Sequence, residues 1–182
     1  MKSLAYILSS FLIIGFISCG DGGTDVEVAD DVIEAPVLKG YEELDLTQWG
    51  FNMTIMVPNA EVNGEPQIIL TDRGALEVAV GLTFGIEIMY GEGDIELLKM
   101  DLKDDLVFSS EIIKEDENTL VYFQDIPNSG VKTQNHFFYK AVIGDDIFEI
   151  RDLMDGQYGK GMIEEMLAAA KTLKANSPKP TV

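Results

Sequence analysis

The chain has 182 residues, with 13 Lys and Arg against 32 Asp and Glu, a formal charge of −19, and 46% apolar residues. That balance excludes a nucleic-acid binder, because phosphate contacts need clustered bases, and it disfavours adhesion to anionic lipid, while the apolar content is enough for a real core. One Cys excludes an intrachain disulfide framework and any Cys-rich zinc site, and one His excludes His-pair metal motifs.

The chain opens with Lys2, a mostly apolar run from Leu4 to Ile17, and then the small Ser18. This is the three-part layout of a secretory signal. As a helix the run spans about 21 Å, short of the ~30 Å hydrocarbon core, so a permanent transmembrane helix is the weaker reading. Phe16-Ile17-Ser18-Cys19 ends on the only Cys and resembles the lipobox of bacterial lipoproteins. The resemblance implies a signal peptide over 1–18 and a diacylglyceryl thioether on Cys19. Cleavage would then make Cys19 the mature N-terminus, usually N-acylated. It places the protein in the bacterial cell envelope, facing the periplasm or exposed at the surface.

Residues 19–40 read as the lipidated Cys and an acidic linker. Asp21, Asp25, Glu27, Asp30, Asp31 and Glu34 stand against one base, Lys39. Self-repulsion extends such a segment, and twenty residues reach on the order of 25 Å. A rival reading is a short strand over 26–32, where Val26, Val28 and Val32 fall on alternate positions.

From Tyr41 the pattern has period two. Phe51, Met53, Ile55 and Val57 predict a half-buried strand ending at Pro58. Asn63-Gly64 marks a turn, 67–71 a short strand, and Asp72-Arg73-Gly74 another turn. Leu76, Val78 and Val80 alternate, and Leu82, Phe84, Ile86 and Ile88 continue the pattern after a break near Gly81. Asp94 then caps a helix with Ile95, Leu98 and Leu102 on its apolar face. Strands are predicted over 107–114 and 119–125, joined by the acidic turn 115–118. A further hairpin covers 136–143 and 147–152. The closing helix is predicted over 162–175, with Lys171 and Lys174 in its last turns, Asn176 and Pro178 as stop signals, and 177–182 as a tail.

These elements predict one α+β domain over 41–176: a mainly antiparallel sheet with two amphipathic helices packed on it. The layout from Leu46 to Leu173 resembles the PsbP-like α/β/α sandwich family. Gly50-Phe51 to Pro58, the aromatic Phe137-Phe138-Tyr139 and the Ala-, Met- and Leu-rich closing helix carry the resemblance. It implies docking or assembly more than catalysis, and it transfers no functional residue.

Candidate chemistry is sparse. His136 stands alone, with no nucleophile elbow in the chain, and reads as an ordinary strand-end His. Gly91-Glu92-Gly93-Asp94 lacks a third Gly for a dinucleotide fingerprint and reads as a turn and helix cap. The loop 156–161 lacks a Gly-Lys-Ser/Thr order, leaving Lys160 as a weak anion candidate at a helix start. Asp104-Asp105, Asp145-Asp146 and Glu164-Glu165 read as solvated acids, with weak cation binding at 115–118 or 145–146 as the alternative. Trp49 reads as a packing anchor. No catalytic residue, metal ligand or cofactor site is assigned. The expected role is a non-enzymatic binding or assembly module, held to the lipid membrane through acylated Cys19 and meeting an envelope protein partner. The alternatives are a small-ligand or cation carrier and a carboxylate-based envelope hydrolase.

Overall fold

The computed structural model describes residues 38–176. The signal, Cys19, the strand reading over 26–32, most of the linker and the tail over 177–182 lie outside the described residues.

The chain runs β1 (Tyr41–Asp45), a 3₁₀ turn (Thr47–Trp49), β2 (Met53–Pro58), α1 (Ala60–Asn63), β3 (Gln67–Leu70), β4 (Leu76–Val80) and β5 (Phe84–Tyr90). It continues with α2 (Ile95–Asp104), β6 (Ser109–Asp116), β7 (Thr119–Asp125), β8 (Gln134–Ile143), β9 (Asp146–Asp152), α3 (Lys160–Ala170) and β10 (Lys174–Ala175). Seven strands form one sheet in the order β3-β4-β5-β9-β8-β7-β6. Every neighbouring pair in it is antiparallel. It joins two meanders, β3 to β5 and β6 to β9, through the β5–β9 ladder. A second sheet, β1-β2-β10, is also antiparallel. The expected α+β class, with helices on a mainly antiparallel sheet, is therefore the observed one.

Period-two alternation sorts the side chains onto two faces. Leu76, Val78, Ile86, Ile88, Val121, Phe137 and Ile150 point to one face. There they meet Ile163, Met166 and Ala170 of α3 and Met53, Ile55 and Val57 of β2. Their neighbours Leu120, Tyr122 and Phe138 point to the other face and meet Ile95, Leu98 and Leu102 of α2. Burying one such side chain fully is worth about 1.5–3 kcal/mol, so the larger cluster dominates stability.

Several sequence expectations need correction. Leu82 is not a strand residue: it is 95% exposed, in the loop of a hairpin whose last pair is Val80↔Phe84. Gly81, at φ +59°, turns the chain there. β2 is buried on both faces rather than one: Met53, Ile55 and Val57 enter the larger core, and on the other face the Thr54 hydroxyl donates to Asn176 Oδ1. β6 begins at Ser109 instead of 107, because Asp105 Oδ1 accepts the N–H groups of Val107 and Phe108 at 2.7 and 2.8 Å and holds a turn there.

The closing helix ends at Ala170, five residues before the predicted end. The Thr172 hydroxyl donates to Ala169 O at 2.6 Å and accepts the Met56 N–H at 2.9 Å, which turns the chain onto β2. Leu173 still reaches the larger core. Lys174 leaves the helix, joins β10 and pairs with Glu43. Asn176 does not act as a helix stop: its N–H donates to Asn52 O at 3.1 Å and fastens the end of β10. The second sheet and the short α1 were not foreseen.

Candidate functional site

Two polar constellations stand out among the described residues, one buried and one open. The buried one centres on His136, which is not at a strand end: it is the third residue of β8 and 1% exposed. The β8–β9 ladder runs from Ile143↔Asp146 to Phe138↔Arg151, so Asp152 comes just past its last pair. Asp152 closes that gap with its side chain. Oδ1 accepts the Phe137 N–H at 2.8 Å, and Oδ2 lies 2.8 Å from His136 Nδ1. A carboxylate only accepts, so Nδ1 carries the hydrogen. Nε2 has no hydrogen-bond partner among the described residues. The Tyr122 ring lies 5.3 Å from the imidazole, tilted by 34°.

Tyrosines enclose this pair. Burial pushes the Tyr122 phenol up to about 12, with the Asp152 charge adding to it. Burial does the same to Tyr158, again to about 12, helped by Asp152 and Asp155. The loop 156–161 seats the Tyr158 ring. A Cβ on Gly156 would stand 2.1 Å from that ring, and a Cβ on Gly85 would stand 2.2 Å from its hydroxyl. These glycines therefore serve close packing and not phosphate binding. The pair orients an imidazole as catalytic dyads do, but both side chains are almost fully buried, at 1% and 2% exposure. Its evident work is to pin β8 to β9 where their backbone ladder stops.

The open constellation is a groove of about 840 Å³ between the start of α2 and the β6–β7 turn. Glu92, Asp94 and Glu96 line one side, Glu115, Asp116 and Glu117 the other, and Lys140 the floor. The predicted turn and cap are present: Asp94 Oδ1 accepts the Leu97 N–H at 2.9 Å. Lys99 ties the two sides together, with Nζ 3.0 Å from Glu96 and 2.7 Å from Glu115. Asp116 is held below the usual carboxylate range. Partial burial raises it, but the Asn118 N–H and the charges of Lys171 and Lys114 together outweigh that. That direction suits a standing anion, not the raised acid of a glycosidase. Among the described residues, no group of three or more His, Cys, Asp or Glu side chains converges closely enough to hold a metal ion.

The remaining candidates scatter. Asp105 accepts backbone N–H groups of Phe108 and Val107, which lower its pKa. Asp145 sits in the exposed β8–β9 turn. Glu164 and Glu165 point apart, Glu164 toward Lys160 at 3.9 Å and Glu165 toward Tyr41. Lys160 thus faces along its own helix. Trp49 packs against the larger core as expected. Sequence reading missed Asp152 as the partner of His136, because only the hairpin register brings them together.

Among the described residues no helix is long and apolar enough to cross a membrane. No protein family, curated protein or solved structure matches the chain.

Proposed function

We propose that this protein is a lipid-anchored lipoprotein of the bacterial cell envelope, whose α+β domain is a non-enzymatic binding or assembly module facing the periplasm or the outer surface. The observation that carries the reading is the place of the only cysteine. Cys19 follows an apolar run and a small residue, and it precedes an acidic stretch. Two or three acyl chains at about 0.8 kcal/mol per buried CH₂ hold a protein on a membrane durably. The charge of −19 opposes adhesion of the domain to anionic lipid, which favours a domain held off the surface and free to meet a partner. Helices on both faces of an antiparallel sheet support the PsbP-like analogy, with its docking and assembly roles.

Mass spectrometry of the N-terminal peptide from the membrane fraction tests this. The expected peptide begins at Cys19 and carries diacylglyceryl and N-acyl groups. A peptide beginning at Met1, or a bare thiol at Cys19, overturns the reading.

The acid-lined groove supports a second reading, a cation or small-ligand carrier. A rise in melting temperature with millimolar Ca²⁺ is its expected signature, and an unchanged melting temperature rejects it.

A further inference from the structure

β6 is one of the two outer strands of the seven-stranded sheet, paired with β7 alone among the described strands. Nearly all of its residues are exposed. An outer strand presents unpaired N–H and C=O groups, a ready template for another chain. β6 carries a bulge: Ile112 faces Tyr122 and Lys114 faces Val121, so Ile113 has no opposite residue. Ile113 remains 45% exposed.

The bulge puts Ile113 and Lys114 together on the α3 side. There a groove of about 480 Å³ runs between β6 and α3. Its floor is apolar, from Ile113, Val121, Leu167 and Ala168. Its rim is Lys114, Lys160 and Lys171, against one lining carboxylate, Glu164. In a chain with 32 acids and 13 bases, that lining reverses the charge ratio. The ion pairs of two rim lysines are long, with Lys160–Glu164 and Lys171–Asp116 both at 3.9 Å, and Lys171 also lies 5.6 Å from the centre of the Tyr139 ring. Such surface pairs add little to stability and give way to an incoming anion. On the opposite face of β6 a second groove of about 430 Å³ is floored by Leu102, Phe108 and Ile112, with Lys99 and Lys103 beside them.

We propose that β6 is the docking edge for an extended acidic segment of a partner protein. The segment adds beside β6 as a further strand, so its backbone supplies the missing hydrogen bonds. Successive side chains of a strand point to opposite faces, matching one groove on each face of β6. Apolar side chains fill the floors, and a carboxylate meets Lys114, Lys160 and Lys171. A second copy of the chain fits poorly, because two molecules of charge −19 repel each other more strongly than one such molecule repels a short segment. This inference deepens the binding-module reading and rests on it, but it is independent of the lipid anchor.

The test uses the full chain in detergent and a fluorescent nine-residue peptide repeating Val-Val-Glu-Glu, so that each face of the added strand carries both apolar and acidic side chains. The expected result is saturable binding by anisotropy, with slowed amide exchange along β6. Methylating alternate peptide nitrogens should weaken binding about tenfold or more, since it removes backbone donors and leaves the charge unchanged. Lys114→Glu with Lys171→Glu should weaken it similarly, as should Ile113→Asp, each variant still unfolding cooperatively near the wild-type urea midpoint. Equal binding of a Val–Lys peptide, indifference to N-methylation, or no saturable binding below millimolar overturns the proposal. So does a dimer by sedimentation that protects β6, or displacement of the peptide by anionic vesicles. Because the readout ignores Cys19, a failed anchor experiment and a failed docking experiment remain separate results.

Discussion

The two faces of the seven-stranded sheet are covered by different means. On one face α3 and the small sheet bury a large apolar cluster, with Ile163, Met166, Ala169 and Ala170 fully enclosed. On the other face α2 contributes one buried residue, Ile95, and two partly buried leucines. What α2 lacks in burial it makes up in polar ties: the Asp94 cap, the Lys99 bridge to Glu115, and the Gly93 N–H donated to Glu149 at 3.0 Å. The α3 face therefore supplies most of the stability. The α2 face leaves Leu97 and Met100 exposed and depends more on conditions. Adjacent residues of β8 show the contrast, since Phe137 belongs to the first face and Phe138 to the second.

The largest expected effect breaks the thick face. Phe137→Ala should cost about 4 kcal/mol in urea unfolding, and Phe138→Ala about 3 kcal/mol. The gap is expected because Arg151 already lies 5.0 Å from the centre of the Phe138 ring and can settle into the space. Equal costs would mean the two layers are equally rigid.

Asp152 sits at the seam between the faces, and its loss comes next. Asp152→Ala leaves the Phe137 N–H and the His136 Nδ1–H buried without an acceptor, a cost of about 3 kcal/mol. Asp152→Asn keeps one acceptor and should recover about half of it. Amide exchange at Phe137 reports the same loss locally.

Alkali probes the thin face. The Tyr122 phenol ionises at 10.0 when unfolded and at about 12 when folded. Its raised value favours the protonated form in the fold. That contribution is complete below pH 10 and is lost as pH rises from 10 toward 12, on the order of 2–3 kcal/mol. Tyr122→Phe should flatten that part of the stability curve, measured by urea midpoints from pH 9 upward. The smallest effect is the cap: Asp94→Ala should cost about 1 kcal/mol and loosen α2 before the rest of the molecule, seen as faster exchange at Leu97.

Local pattern was legible where local forces decide. Leu76, Val78 and Val80 alternate and form β4, and Asp94 before Ile95, Leu98 and Leu102 gives a capped helix with that buried face. The pattern misled where distant partners decide. Leu173 sits on the helical stripe of α3, yet β2 takes the chain into β10 at Lys174↔Thr54. Leu82 keeps the alternation and still lies in a turn. In the site, His136 was visible as the only His but not as half of a pair. Lys160, Glu164 and Lys171 share one helical face by spacing, yet nothing in the sequence set them beside Lys114.

The sequence by itself determined the class of the fold, most of its strands, the face that α2 buries and the acidic character of its surface, because alternation, capping and composition act over a few residues. Tertiary structure alone decided the strand order, the burial of His136 against Asp152, the end of α3 and the lysine-rimmed groove at β6. Each of these depends on which segments lie side by side, and that is set by register and by competition for a shared core.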